Sequence, residues 1–366
     1  MLTIMETHQT EGKSIQTVDN NKMNFSYTSV QDAVYFCYES INNSCYKETR
    51  PAYFPPLLYT VTLTVILMTI FGNLLVIISI SHFKQLHTPT NYLILSLAIT
   101  DLLMGGFVMP PIMSQFIDSC WYYGEFFCKF YLGTVIMLCT ASVIHLSVIS
   151  LDRYYAVCFP LSYKAFVTMS VTVYFILSSW ILSALTGYII IFFELNIKGI
   201  EHIYRNRCIG NCILVQNEAS GLVSSLLSFY IPGFIMICIY VKIFRVAKRQ
   251  AKSIKDLSQH VQTNEQKKDA ASQRKETKAA KTLAIVLGVF LFCWLPFFLC
   301  NIINPILNHP APPITTDILA WIGYMNSTFN PLVYGFFYSW FRKCLKIIAL
   351  GKIFKADSSR TKLFAD

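Results

Sequence analysis

Residues Cys128 to Val157 read CKFYLGTVIMLCTASVIHLSVISLDRYYAV, thirty residues that are apolar almost throughout, with a cysteine at one end and Asp152-Arg153-Tyr154 near the other. As an α-helix rising about 1.5 Å per residue, Cys128 to Arg153 covers about 38 Å, enough to cross the hydrocarbon of a bilayer and reach both interfaces. One end can then be tied by a disulfide outside the cell while the other presents an ion pair to the cytoplasm. Taken alone, the stretch also fits a generic membrane anchor with two incidental polar residues. The rest of the chain removes that alternative.

Of 366 residues, 54% are hydrophobic, 15% aromatic and only 14% charged, and the mean hydropathy is +0.47. Soluble proteins carry roughly 25% charged residues, so the deficit points to a polytopic membrane protein. A net charge of +10 would suggest a nucleic-acid partner if the basic residues lay on a folded soluble face. Most lie instead between and after apolar runs, so no nucleic-acid partner is expected. No short apolar run with a cleavage site opens the chain, and the first span is expected to act as a signal-anchor.

Hydropathy gives seven spans: Pro56–Ser81, Asn91–Phe116, Phe126–Cys158, Thr168–Phe193, Gly221–Val246, Ala279–Asn304 and Thr315–Phe337. An odd number places the termini on opposite sides. Lysines and arginines crowd the segment from Lys242 to Lys278 and the tail from Arg342 to Lys355, so both are cytoplasmic and the N-terminus is outside. The expected fold is an all-α membrane protein, a seven-helix bundle with a short amphipathic eighth helix, multi-pass in the plasma membrane. Its parts are an external glycosylated tail (1–54), a seven-transmembrane domain (55–337), the amphipathic helix (338–350) and a cytoplasmic tail (351–366). Asn24 and Asn42 fit the glycosylation pattern, whereas Asn326, which also fits it, lies inside a span. The helix after Phe337 alternates apolar and basic residues at helical spacing and should lie on lipids of the inner leaflet. There Cys344 is either a lipidation site or a plain buried cysteine.

The twelve cysteines divide by topology. Cys37, Cys45, Cys120, Cys128, Cys208 and Cys212 fall outside, and six in an oxidising compartment fit three disulfides. Cys128 with Cys208 or Cys212 would pin the loop after the fourth span onto the third. Inside the spans, Asn73, Asp101, Ser142, Asn326, Ser327 and Asn330 lie at compatible depths, where each polar group needs a partner. A carboxylate ringed by amides and hydroxyls suits a sodium ion or a proton, or else forms a structural network with no ion; no other cofactor is expected. A lone His145 on the third span reads as a satisfied core residue. Pro110, Pro111, Pro232, Pro296 and Pro331 permit kinks that moving helices can use.

These features together resemble the rhodopsin-like (class A) G-protein-coupled receptors over residues 55–350. The motifs are Gly72-Asn73, Leu97-Ala-Ile-Thr-Asp101, Asp152-Arg153-Tyr154, Trp180, Pro232 with Tyr240, Phe292-Cys-Trp294-Leu-Pro296 and Asn330-Pro331-Leu-Val-Tyr334, in order and each in its span. Asn326 to Trp340 and the extra external cysteines resemble the trace-amine-associated receptors, most of which are olfactory. That resemblance implies the pairs Cys128–Cys212, Cys37–Cys208 and Cys45–Cys120. It also implies a small-molecule ligand, a heterotrimeric G-protein partner, of which a stimulatory one raising cyclic AMP fits best, and no enzymatic chemistry.

One departure bears on the ligand. Where amine receptors carry an aspartate on the third span, this chain has Val135, and where some fish members carry a replacement on the fifth, it has Ser224. An unpaired ammonium in an apolar cavity is costly, so the usual amine pairing is missing. What remains is an aromatic cavity: Val135, Ile136, Cys139 and Thr140 facing Ser224, Ser225 and Ser228, closed by Trp294, Phe297, Phe298, Trp321 and Tyr324. An amine would then pair at the rim with Asp317, Glu218, Glu125 or Glu194, and a non-amine ligand for the same fold stays open. Signalling is expected to run from Trp294 and Pro296 through Asp101 and Asn330 to Arg153, which would leave Asp152 in a cleft shaped by Tyr154, Tyr240 and Tyr334. A transporter would show a repeat between halves and several mid-membrane charges. A membrane enzyme would need a nucleophile–base pair or metal cluster within the spans. The sequence offers neither.

Overall fold

A computed structural model describes residues 35–48, 50–202, 207–257, 264–307, 312–355 and 357–363. Among the described residues, six helices are long and apolar enough to cross a membrane: Phe54–His82, Pro89–Asp118, Glu125–Cys158, Met169–Phe192, Glu218–Lys252 and Glu276–Ile303. They coincide with the first six predicted spans. On the first, Ile66, Thr69, Asn73, Val76 and Ile80, three or four apart, are buried in the bundle, while Leu63, Leu67, Phe71 and Leu74 are exposed. Exposed leucines are at home there because that side of the helix meets lipid. Polar caps fix several helix starts: the Thr88, Thr168 and Asn217 side chains accept from the N–H groups of Asn91, Val171 and Ser220.

Two of the predicted proline kinks take the form of π turns, at Met104–Val108 before Pro110 and at Leu226–Tyr230 before Pro232. The extra residue in such a turn accommodates the backbone groups that proline leaves unpaired. The seventh predicted span is not one helix. It crosses as Pro313–Tyr324 and Asn326–Phe337, broken at Met325. Pro331 has no N–H for the carbonyl of Ser327 four residues back, and that carbonyl accepts instead from Asn73 Nδ2 of the first span at 3.0 Å. The third span is central and is buried at intervals from Cys128 to Val157. It crosses the fourth so closely that a Cβ on Gly187 would run into the Gly133 carbonyl.

On the outer face a small hairpin, Tyr35–Phe36 paired with Tyr46–Lys47, is stapled onto the loops. The disulfides are Cys128–Cys212, Cys37–Cys120 and Cys45–Cys208. The first is the expected pair; the other two exchange the partners implied by the resemblance. The backbone explains the exchange. Ser44 bridges Ile209, and Cys45 N–H donates to the Ile209 carbonyl at 2.8 Å, which lays Cys45 beside Cys208. Tyr38 OH bonds the Trp121 carbonyl at 3.1 Å, which brings Cys37 to Cys120. Asn42 is exposed in the turn of this hairpin, whereas Asn24 lies outside the described residues.

On the inner face, Tyr338 breaks the chain into the amphipathic helix Ser339–Ala349, whose buried face carries Trp340, Phe341 and Cys344. Of the two readings of Cys344, the buried one holds: it has no exposed surface, and burial pushes its thiol up to about 12. The tail then folds back. Ser358 Oγ meets His82 Nε2 at 3.0 Å, Leu363 N–H donates to Gln85 Oε1 at 2.9 Å, and the Leu363 side chain is buried in the main core.

Candidate functional site

A cavity of about 40 Å³ lies mid-bundle, and Cys139, Ser228, Trp294, Phe298 and Tyr324 of the predicted ligand set line it. Trp294 is its hub, with ring centroids 5.8 Å from Phe297, 5.9 Å from Phe298 and 5.8 Å from Tyr324. Trp321 stands 6.5 Å outward of Tyr324. Gly323 and Phe290 also line the cavity, although neither was singled out from the sequence. A Cβ on Gly323 would come within 2.7 Å of the Trp294 ring, so only glycine lets the indole lie there.

The three serines of the fifth span differ in use. Ser228 faces the cavity, Ser225 is buried and donates to the Gly221 carbonyl at 2.8 Å, and Ser224 accepts from Gln216 Nε2 at 3.4 Å. Val135 packs in the apolar cluster that holds Tyr131, Leu138, Trp321 and Tyr324; Ile136 is half-buried beside it in sequence. The rim acids are also in different settings. Glu194 pairs with Lys129 at 2.9 Å. Glu125 lines a separate outer cavity of about 420 Å³ under the staples, Glu218 is exposed, and Asp317 lies near Glu48 and Arg50.

The floor of the central cavity is the polar network. Asp101 is 1% exposed and accepts from Ser327 Oγ at 2.8 Å and from Asn330 Nδ2 at 2.7 Å. Ser142 Oγ and the side-chain oxygens of Asn326 and Asn330 are buried there with no partner in the fold. The set is one carboxylate with hydroxyl and amide oxygens, hard ligands suited to a small cation. Beside it, Trp180 Nε1 donates to Ser96 Oγ at 3.0 Å, and Ser96 meets His145 Nε2 at 2.8 Å.

At the end of the third helix remote from the disulfides, Arg153 is almost fully buried and bonds the groups around it. Its Nε and Nη2 donate to Asp152 Oδ2 at 2.9 and 2.6 Å, and Nη1 donates to Glu276 Oε2 of the sixth helix at 2.6 Å. Thr90 Oγ1 and Tyr163 OH donate to Asp152 at 2.8 and 2.7 Å. Burial and that neighbouring carboxylate raise the Tyr163 hydroxyl well above the usual phenol range. Glu276, Thr90 and Tyr163 were not picked out from the sequence; the signal for Glu276 was an acid in an otherwise basic run. Tyr154 lies against Lys242, whose Nζ is 5.0 Å from the ring centroid, and Tyr240 is half-buried between the main and inner clusters. Tyr334 is buried against Tyr338 with centroids 5.8 Å apart.

A bundle of this order, with a central aromatic cavity above a buried carboxylate and a clamped Asp-Arg pair at its inner end, defines the class of rhodopsin-type seven-transmembrane receptors. Residues 72–334 match the family described as 7 transmembrane receptor (rhodopsin family). Trace amine-associated receptor 1 of Macaca mulatta is 52% identical over 333 residues, 90% of this chain and 98% of that protein. Trace amine-associated receptor 4 of Rattus norvegicus is 46% identical over 329 residues, covering 90% and 95%. Trace amine-associated receptor 13c of Danio rerio is 42% identical over 334 residues, covering 91% and 97%. The chain belongs to the trace amine-associated receptors of the rhodopsin family. It is therefore a multi-pass membrane receptor, not an enzyme, and its family works with a small-molecule ligand and a G-protein.

Proposed function

We propose that the protein sits in the plasma membrane with its N-terminus outside, binds a small ligand among Trp294, Phe298, Trp321 and Tyr324, and activates a stimulatory G-protein that raises cyclic AMP. An odorant is one ligand class that the family resemblance suggests. The observation that carries the reading is the clamp on Arg153, which ties the third helix to the sixth at the inner end while Trp294 of the same sixth helix forms the cavity. A ligand that binds better to the unclamped arrangement shifts the equilibrium toward it, freeing Arg153 and opening a cleft beside Tyr154, Tyr240 and Tyr334. Asn330-Pro331 lies between the two sites, where the weakened turn gives the seventh helix a place to bend.

Val135 supports a ligand whose charge, if it has one, stays at the rim. The oxygens of Asp101, Ser142, Asn326 and Asn330 support a sodium ion in the network, a cation that would offset the buried carboxylate. Asn42, exposed in its turn, is the better placed glycosylation acceptor of the described residues. The test is Arg153→Ala: nucleotide exchange on the G-protein should be lost at surface expression close to wild type. Exchange equal to wild type at matched surface density would overturn the reading.

A further inference from the structure

Two buried donors on the side of Tyr324 away from the Asp101 network have no acceptor among the described residues: Nη1 of Arg50 and Nε1 of Trp321. The Arg50 side chain is 12% exposed and Trp321 is 8% exposed. Both lie against Phe116. The guanidinium carbon is 5.8 Å from the Phe116 ring centroid, and the Trp321 ring is 6.2 Å from it. Phe54 also flanks the guanidinium at 5.6 Å. Arg50 Nη2 is taken by Glu48 at 3.0 Å, which leaves the other arm of the fork. Asp317, one turn outward from Trp321 on the same helix, is within electrostatic reach of both Arg50 and Glu48.

A buried N–H without an acceptor is costly, and such groups in a native fold ask for an explanation. Two N–H donors, one of them charged, match a carboxylate, which when ionised only accepts. A simple anion would also meet Asp317 and Glu48 and be repelled. An anion carrying its own ammonium would not, because the ammonium would face Asp317. We infer that the ligand is a zwitterion, an α-amino acid or a similarly spaced amino-carboxylate. Its carboxylate sits on Arg50 Nη1 and Trp321 Nε1, and its ammonium sits at Asp317. The apolar side chain points inward along Trp321, Tyr324 and Trp294, past Val135, which shares the apolar cluster of Trp321 and Tyr324. This accounts for Val135: with both ligand charges at the rim, the inner cavity has no use for an acid. The inference rests on the receptor reading above.

The experiment compares, on the full-length receptor in membranes, the twenty amino acids with their decarboxylated amines and deaminated acids, phenylalanine, 2-phenylethylamine and 3-phenylpropionate among them. Nucleotide exchange and ligand-induced thermal stabilisation are the two readouts. At least one amino acid should exceed both of its single-charge analogues by tenfold or more. Arg50→Gln should lower that amino acid and its acid analogue by at least tenfold, the size of one lost charged hydrogen bond, and leave the amine where it was. Asp317→Asn should do the converse, sparing the acid analogue. Trp321→Phe, which keeps a ring and removes only the N–H, should weaken the two carboxylate-bearing probes and not the amine. An amine as potent as its amino acid on wild type would overturn the inference. So would an Arg50→Gln shift that is equal for all three analogues, since that is a structural effect. If amines or neutral odorants drive exchange and no amino acid does, the zwitterion fails and the receptor reading stands. If nothing drives exchange and Arg153→Ala leaves basal exchange unchanged, the receptor reading itself fails.

Discussion

Glu276→Gln should make the receptor active without ligand. Among the described residues, the Arg153–Glu276 contact is the one ion pair that ties the third helix to the sixth at the inner end. Its N···O distance is 2.6 Å, with side-chain exposures of 4% for Arg153 and 34% for Glu276. A buried charged hydrogen bond contributes about 1.5–3 kcal/mol. Partial exposure of Glu276 screens the pair, and the amide of glutamine can still accept, so the change should cost the clamped state about 1–2 kcal/mol. At about 1.4 kcal/mol per decade this is a ~5- to 30-fold shift toward the open arrangement. An open population of ~1% would rise to roughly 5–25%. Basal nucleotide exchange, measured in membranes at equal surface density, should rise several-fold. Raised salt should move wild type weakly in the same direction, since the exposed half of the pair is screened. Basal exchange at or below the wild-type level would refute the idea that this contact restrains the sixth helix.

Peptide mapping without reduction should recover Cys37 joined to Cys120 and Cys45 joined to Cys208, and Cys128→Ser or Cys212→Ser should lower surface expression, in line with the roughly 2–5 kcal/mol that structural disulfides contribute in small domains. Val135→Asp should create or strengthen a response to small amines while weakening any neutral ligand, read from dose–response curves on one amine panel; no change in either would remove the missing acid from the account. Gly323→Ala should displace the Trp294 ring, lowering the unfolding temperature of the purified receptor by an overpacking cost of about 1–3 kcal/mol and blunting the ligand response. Cys344→Ala should leave palmitate incorporation unchanged, because the thiol is sealed in the core.

Most of the bundle was legible in the sequence because a span announces itself by length and apolarity. The Asp101 network was legible for a related reason: polar groups at equal depth in lipid have to find one another, and Asp101, Ser327 and Asn330 do. The break at Met325 was hidden because neither half of the seventh span is unusual in composition, and the capture of the Ser327 carbonyl by Asn73, from another helix, was equally invisible. Cysteine partners depend on which carbonyls the hairpin meets across the loop, and no spacing encodes that. Ser225 looked equivalent to Ser228 because both fit the same face. Its hydroxyl instead turned back to the Gly221 carbonyl four residues earlier, a local bond that a helical serine can always make. The docking of Leu363 was equally silent, since a single leucine in a polar tail has no periodicity to read.

The three disulfides divide the molecule into a cross-linked part and a sliding part. They join the N-terminal segment, the loop between the second and third helices, the head of the third helix and the loop between the fourth and fifth. Among the described residues, no disulfide reaches the sixth or seventh helix. Around the outer rim, then, five helices are braced as a chassis, and two are hung on non-covalent contacts alone. Those two carry Trp294 and Tyr324 of the cavity and Glu276 of the clamp. Any stroke that carries a signal inward should therefore be sought in the sixth and seventh helices moving against a fixed frame, with amplitude growing toward the unbraced inner end.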